Sequence, residues 1–250
     1  MQHFISLNQP TLHSENTFTL KHIFIMKTNE QLQKDVQNAL KWEPLLHAAE
    51  IGVSVKDGVV TLTGTVDSYT KKTEAESAVK SIIGVKALVE NIEVKYASTY
   101  AKKDDNDIAK EIINAILWNW EVPNDKVKVK VENGWVTLEG ELSWNYQRTA
   151  AKDAVSKLAG VMGVSNNITI KSESKDAVEK ADIESAFRRN WSLDDEDINV
   201  KVHDHKVTLT GTVGSWYQKD EAAKIAWKAN GVWMVDNELE VEYEYEYDEE

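Results

Sequence analysis

The chain of 250 residues contains no cysteine. This absence excludes disulfides, thiolate nucleophiles and cysteine-ligated zinc, and it is compatible with any cellular compartment. The sequence also has no run of about 18 consecutive apolar residues, the length that a membrane-spanning helix requires. We therefore expect no transmembrane segment.

Positive charge is scarce as well. Lys and Arg number 29 against 42 Asp and Glu, which gives a net charge of −13. Because affinity for nucleic acid comes largely from basic side chains that neutralise phosphates, this balance predicts no nucleic-acid partner. The same repulsion opposes docking of the whole molecule on an anionic bilayer, although a local basic or aromatic face remains able to bind one.

Recognisable catalytic motifs are missing. The chain has no G-x-x-x-x-G-K-[ST] phosphate loop, no G-x-G-x-x-G turn and no G-x-S-x-G elbow. Its many acidic residues do not recur as a facing pair at matched positions. We predict no enzymatic activity and no cofactor.

What the chain does contain is one stretch of about 65 residues written three times. Each copy carries a glycine that is followed twenty residues later by a Gly-Val pair. These glycines are Gly64 and Gly84, Gly140 and Gly160, and Gly211 and Gly231. Since they recur with the repeat, we expect them to serve backbone geometry rather than phosphate binding.

Each copy shows the same succession of periodicities. Apolar residues at helical spacing come first, then two alternating strands, a second helix rich in alanine, and a last strand after the Gly-Val pair. This order predicts an α+β fold of three tandem αββαβ two-layer sandwiches. We place the domains at 28–96, 104–171 and 179–242.

The two ends of the chain are treated separately. Residues 1–27 are expected to be a disordered or mis-annotated extension, with translation starting at Met26. Residues 1–25 lack the features of a secretory signal, which favours the cytoplasm over the periplasm. Residues 243–250 form an acidic Tyr/Glu tail.

Aromatic residues fall into two groups. Trp42, Trp118, Trp120 and Trp191 follow helix one of their copies, and we predict them to be core anchors. A second group, named here the helix-two aromatics, lies where each chain copy enters helix two. It consists of Tyr69, Trp144, Tyr146, Trp216 and Tyr217. Such residues are typical either of a binding surface or of a hydrophobic contact that fixes the helix start, and the sequence leaves both open.

Two polar features of the third copy need separate comment. His203 and His205 share a strand face by alternation, downstream of the acidic run 194–197. We favour a solvated strand face over a metal site. Asp204-His205 also replaces the Asp-Gly and Asn-Gly turn pairs of the other copies, so its turn is predicted to be strained or of another type.

With these motifs in place, the chain resembles a known family. The segments Leu62–Val66, Leu138–Leu142 and Leu209–Val213, each followed at fixed distance by Gly-Val and a Val/Asn-rich strand, look like the BON domain (bacterial OsmY and nodulation). The resemblance covers about residues 28–242. It implies a non-catalytic module of osmotic-stress and envelope proteins that contacts phospholipid or partner proteins.

Two hypotheses about function follow. In the first, the chain is a stress-related binding module that contacts phospholipid surfaces or partner proteins through several weak sites, with the helix-two aromatics as the candidate residues. In the second, it is a soluble structural scaffold without a specific ligand. Exposure of the helix-two aromatics favours the first, and their burial between repeats favours the second.

Overall fold

In the computed structural model, the described residues are 27–46, 51–96, 103–171, 178, 180–193 and 198–242. Residues 1–26 of the predicted N-terminal extension, the acidic tail and the acidic run 194–197 lie outside them. The expectations about those segments therefore stay predictions.

Each domain has the predicted order of helix, strand, strand, helix, strand. The first contains α1 (Asn29–Trp42), β1 (Ile51–Lys56), β2 (Val59–Val66), α2 (Tyr69–Lys80) and β3 (Ala87–Val94). The second contains α3 (Asp105–Leu117), β4 (Val127–Glu132), β5 (Trp135–Leu142), α4 (Asn145–Ser156) and β6 (Gly163–Ile170), with a short 3-10 turn at Asn124–Lys126 before β4. The third contains α5 (Lys180–Arg188), β7 (Ile198–His203), β8 (Lys206–Val213), α6 (Trp216–Ala226), β9 (Met234–Asn237) and β10 (Glu240–Val241). The α+β fold is confirmed.

The three sheets share one topology. The hairpin strands pair antiparallel, and the strand after helix two returns parallel to the middle strand, giving the orders β1-β2-β3 and β4-β5-β6. In the third domain β9 and β10 together take the place of that last strand beside β8. Each sheet is thus mixed, with its middle strand paired on both sides.

Both helices of a domain pack on one face of its sheet. In the first domain, Leu32 and Val36 of α1 meet Val60 and Leu62 of β2 in one buried cluster, which also takes in Ala75 of α2. Alanine on helix two allows the helix to lie close to the strands. Alternate strand residues point to the opposite face and stay in contact with solvent, as period-two patterning requires.

The tight turn of the third hairpin differs from the other two, as predicted. In the first two hairpins both turn residues have positive φ, for example 52° at Asn133 and 76° at Gly134. In the third hairpin Asp204 has a φ of 53°, whereas His205 does not adopt a positive φ. The turn is therefore of another type, and His205 avoids the strain that left-handed φ would impose on it.

The domains contact one another through helix two and its flanking loops. At the first joint, Thr70 Oγ1 donates to the carbonyl oxygen of Ser156 at 3.1 Å, and the Tyr96 hydroxyl donates to that of Val161 at 2.6 Å. Tyr69 packs against the core of the second domain, while Met162 packs against that of the first. These four contacts join the start of α2 and the residue Tyr96 after β3 to the segment between the end of α4 and the start of β6.

The second joint repeats this arrangement with different residues. Trp227, just after α6, packs against the cores of both the second and the third domain. The guanidinium of Arg148, near the start of α4, lies 4.6 Å from the centre of the Trp227 ring. Burial lowers the pKa of Arg148, but arginine stays charged at any physiological pH. The start of one helix two thus meets the end of the next at both joints.

Candidate functional site

The four tryptophans that follow helix one lie outside the core. Trp42, Trp118, Trp120 and Trp191 are between 85% and 97% exposed. The prediction that they anchor the core is wrong. We call them the corner tryptophans, because each lies where the chain turns from helix one toward the first strand.

A small turn explains why two of these side chains point outward. After helix one, Asn119 and Asn190 each begin a tight turn whose fourth residue donates its backbone N–H back to the asparagine carbonyl. The asparagine side chains also accept from the backbone two residues on. Trp120 and Trp191 are the second residues of these turns, a position that projects away from the chain reversal.

The apolar anchor at this corner is a different residue in each domain. Leu46, Val122 and Leu193 close the turns and are buried. They supply the hydrophobic contact that the tryptophans were expected to make. In the first domain Pro44 takes the projecting position, and Trp42 ends α1 just before it.

Apolar exposure extends along helix one of the second domain. Ile113 and Leu117 are more than half exposed, beside Trp118 and Trp120. Buried positions of this helix are Ile108, Ile112 and Ile116. The second corner is therefore the most apolar of the three.

Positive charge lies next to the third corner. Of the three arginines in the chain, Arg188 and Arg189 directly precede the turn that carries Trp191, and both are exposed. Lys41 is likewise exposed beside Trp42. The acidic run 194–197 follows the turn of Trp191 in the sequence, and Glu43 follows Trp42, so acids flank both corners as well.

The helix-two aromatics do not form one surface. Tyr69 is half-buried at the first joint, where burial raises the pKa of its hydroxyl. Trp144, Tyr146 and Tyr217 are exposed, and Trp216 is partly covered, with Lys219 Nζ 5.7 Å from its ring centre. Tyr69 thus contributes to packing, whereas Trp144, Tyr146 and Tyr217 remain available to a partner.

In the third domain the two aromatic groups are neighbours. Gln218, in the first turn of α6, donates through Nε2 to the carbonyl oxygen of Ser192, the residue after Trp191. Its Oε1 accepts from the backbone of Gly214. This side chain therefore ties the start of α6, with Trp216 and Tyr217, to the corner turn.

The six glycines of the repeat all have positive φ. The values are 145° at Gly64 and Gly140, 102° at Gly84, 99° at Gly160, 120° at Gly211 and 78° at Gly231. Side chains rarely adopt these conformations, so the glycines shape the backbone at each strand and loop.

The histidines of the third domain do not converge. His203 Nδ1 lies 3.2 Å from Asp204 Oδ2, whereas His205 stacks on Trp233 at 4.0 Å and its Nδ1 lies 2.7 Å from the carbonyl oxygen of Gly231. They line an open cleft of about 440 Å³ together with Lys206. Within the described ranges, no three His, Asp or Glu side chains are placed to hold a metal ion.

The exposed corners and the three repeated sandwiches define a class of protein, a tandem array of small α+β modules with aromatic side chains displayed at one corner of each. A family model described as BON domain matches residues 28–96, 104–172 and 175–243. The matched segments make up most of the chain, which therefore belongs to the BON domain family, as the resemblance implied.

Individual relatives are more distant. Osmotically-inducible protein Y of Escherichia coli (strain K12) is 29% identical over 139 residues, which cover 54% of this chain and 69% of that protein. Two solved structures of CdsD, a structural protein of the type III secretion system of Chlamydia trachomatis, overlap 82% and 85% of the chain at 15% and 16% identity. They cover 90% and 98% of their own chains, but the TM-scores of 0.23 and 0.24 are too low to carry an argument.

None of the helices in the described part of the chain is both long enough and apolar enough to cross a bilayer. The expected cytoplasmic location stays a prediction.

Proposed function

We propose that the chain is a non-enzymatic, stress-related BON protein that contacts phospholipid surfaces through its corner tryptophans. The observation that carries this proposal is the repetition of nearly fully exposed indoles at the same corner of all three domains. The similarity to an osmotically inducible protein supports the association with stress.

The chemistry of the corners suits a bilayer interface. Indole combines a large apolar body with one polar N–H, and tryptophan is enriched where the hydrocarbon of a membrane meets its headgroups. Leaving such rings in water brings the folded protein no burial energy. Their exposure is therefore explained better by a partner than by folding.

Exposed bases at two of the corners could each meet a lipid phosphate. Arg188 and Arg189 precede Trp191, and Lys41 precedes Trp42, although acids follow both tryptophans in the sequence. Because the molecule as a whole is acidic, each contact is expected to be weak. Three linked corners would then gain affinity by binding together.

A protein partner is the second candidate, and one observation favours it. Four large apolar side chains are more than half exposed at the end of helix one of the second domain, namely Ile113, Leu117, Trp118 and Trp120. Aromatic residues of this kind are typical anchors of protein interfaces.

Co-sedimentation with vesicles of neutral and of anionic phospholipid tests the proposal. The full chain is compared with a corner variant (Trp42→Ala, Trp118→Ala, Trp120→Ala, Trp191→Ala) and with a control variant of the helix-two aromatics (Trp144→Ala, Tyr146→Ala, Tyr217→Ala). We expect the corner variant to lose binding and the control variant to keep it.

Either of two results would overturn the proposal. Binding that survives in the corner variant but disappears in the control variant would move the contact to helix two. No binding of the unaltered chain to either kind of vesicle would favour the protein partner or the scaffold.

A further inference from the structure

Glu90 occupies a position in β3 that an asparagine fills in both other domains. The amide nitrogens of Asn166 and Asn237 donate to the backbone carbonyls of Arg148 and Lys219, early in helix two, at 2.9 and 2.7 Å. Each amide oxygen accepts from the backbone N–H two residues further on. An amide donates and accepts at once, whereas an ionised carboxylate only accepts.

The carboxylate of Glu90 cannot donate as those amides do. Its Oε1 is buried and receives no hydrogen bond from the described residues. Lys72 Nζ lies 3.0 Å from this oxygen as an ion pair, and it also donates a hydrogen bond to the carbonyl oxygen of Ile92 at 3.2 Å. Lys72 thus balances the charge of Glu90 without an N–H aligned to donate to Oε1.

A second carboxyl group meets Glu90 from the facing helix. Glu76, on α2, is within hydrogen-bonding reach of the Glu90 side chain. Two ionised carboxylates in contact both lack a proton to donate and repel each other, so the contact is satisfied only when one of them is protonated. A proton held between them would give Glu90 the hydrogen bond that it lacks.

Burial and the neighbouring Glu90 favour protonation of Glu76. Burial, followed by the hydrogen bond and negative charge of Glu90, raises the pKa of Glu76 to about 7. Lys80 and Lys72 act in the opposite direction but do not cancel the effect. The corresponding positions in the other domains hold Lys152 and Ala223, so the pair of acids belongs to the first domain alone.

The pair lies beside the first joint. Tyr69 begins the helix that carries Glu76, and it packs on the core of the second domain. The hydroxyl oxygen of Tyr69 accepts a hydrogen bond from the backbone N–H of Val164. The charges of Glu76 and Glu90 act on Tyr69. Because α2 packs directly on β3, a separation of the two carboxylates would shift the helix whose first turn makes the joint.

We propose that Glu76 and Glu90 share one proton, and that loss of this proton as the solution changes from mildly acidic to mildly alkaline loosens the contact between the first and second domains. The joint is then a pH-sensitive hinge between two BON domains. This inference does not depend on the proposed contact with phospholipid.

The absence of cysteine makes a distance measurement straightforward. Two exposed positions on the outer sheet faces, Ser54→Cys and Lys128→Cys, take a pair of fluorophores, and energy transfer is followed in the full chain from about pH 5.5 to about pH 8.5. We expect the transfer efficiency to change with a midpoint near pH 7. Glu90→Asn, which restores the residue of the other domains, is expected to hold the low-pH value throughout.

Two further variants keep the test decisive. Glu76→Gln retains a donor toward Glu90 and is expected to give the same flat profile, so it replaces Glu90→Asn if that variant fails to fold by circular dichroism. Glu74→Gln removes a neighbouring carboxylate of the same helix and is expected to keep the transition. A flat profile in the unaltered pair of domains, or an unchanged transition in both Glu90→Asn and Glu76→Gln, would overturn the inference.

Discussion

Gly140 shows at the residue scale why the repeat keeps its glycines. Its φ is 145°, and a Cβ at this position would collide with the backbone carbonyl of Lys126 on the neighbouring chain segment. Both the conformation and the close approach require the absence of a side chain. The regular spacing in the sequence identified this position, but the colliding backbone is visible only in the folded hairpin.

Replacement of Gly140 is expected to destabilise the second domain. Gly140→Ala should lower the free energy of unfolding by about 1 to 3 kcal/mol, because the backbone must shift to admit a methyl group. Urea denaturation measures the change. Gly214→Ala is the matched control, since Gly214 has no positive φ and the other copies hold Asp67 and Ser143 at this position. A Cβ there lies 3.2 Å from Gln218 Oε1, and the effect should stay within about 0.5 kcal/mol.

A second prediction at this scale concerns Glu76. The folded protein holds its proton more tightly than the unfolded chain does, since its pKa rises from 4.5 to about 7. The corresponding stability is complete below pH 4.5 and is lost as the pH rises through about 7. Glu76→Gln should therefore weaken the decline of stability between these values, as measured by urea denaturation at several pH values. An identical decline in both proteins would contradict this explanation.

At the scale of elements, helix one shows where sequence periodicity is reliable and where it fails. Ile183 and Phe187 recur at helical spacing and are buried, as predicted. Extending the same spacing by four residues placed Trp191 in the core. However, α5 ends at Arg188, and a turn that begins at Asn190 reverses the direction. The helical repeat of 3.6 residues therefore does not predict burial beyond Arg188, the last helical residue.

The sequence does contain a signal for this turn. Asn-Trp occurs at both Asn119-Trp120 and Asn190-Trp191, and asparagine is a preferred first residue of tight turns. A buried valine or leucine follows three residues after each asparagine. Recognition of that pattern would have predicted that Trp120 and Trp191 lie outside the core.

Two substitutions around α5 test this distinction. Phe187→Ala should cost about 3 to 5 kcal/mol of stability, because it empties a buried site. Trp191→Ala should change the stability by no more than about 0.5 kcal/mol, because the indole contacts mainly water. Thermal unfolding of the two variants measures both. A loss of stability in Trp191→Ala as large as that in Phe187→Ala would show that Trp191 is buried in the core.

At the scale of the whole molecule, the repeat predicted three domains but not how they join. The joints depend on pairs such as Arg148 with Trp227 and Tyr96 with Val161, which lie far apart in the sequence and do not recur between copies. Nothing in the periodicity of a single copy identifies such contacts. The order of elements and the cores follow from patterning within each copy, whereas the joints follow from the differences between copies.

The joints also bear on the two hypotheses drawn from the sequence. Tyr69 contributes to packing between domains, as a scaffold would require, while the corner tryptophans remain available in every domain. Both features occur in one molecule. The account therefore predicts a jointed array that presents three separate contact points to one surface.

Partition of the full chain onto phospholipid vesicles, with the corner tryptophans replaced one domain at a time, tests this account most directly. We predict that the affinity of the chain for vesicles falls each time the tryptophans of one corner are removed. Each fall should exceed that expected for the loss of one of three independent sites, because linked weak sites reinforce one another. Trp144→Ala serves as the control and should leave the partition unchanged. Equal partition of the unaltered chain and of the variant lacking all four corner tryptophans would contradict the account.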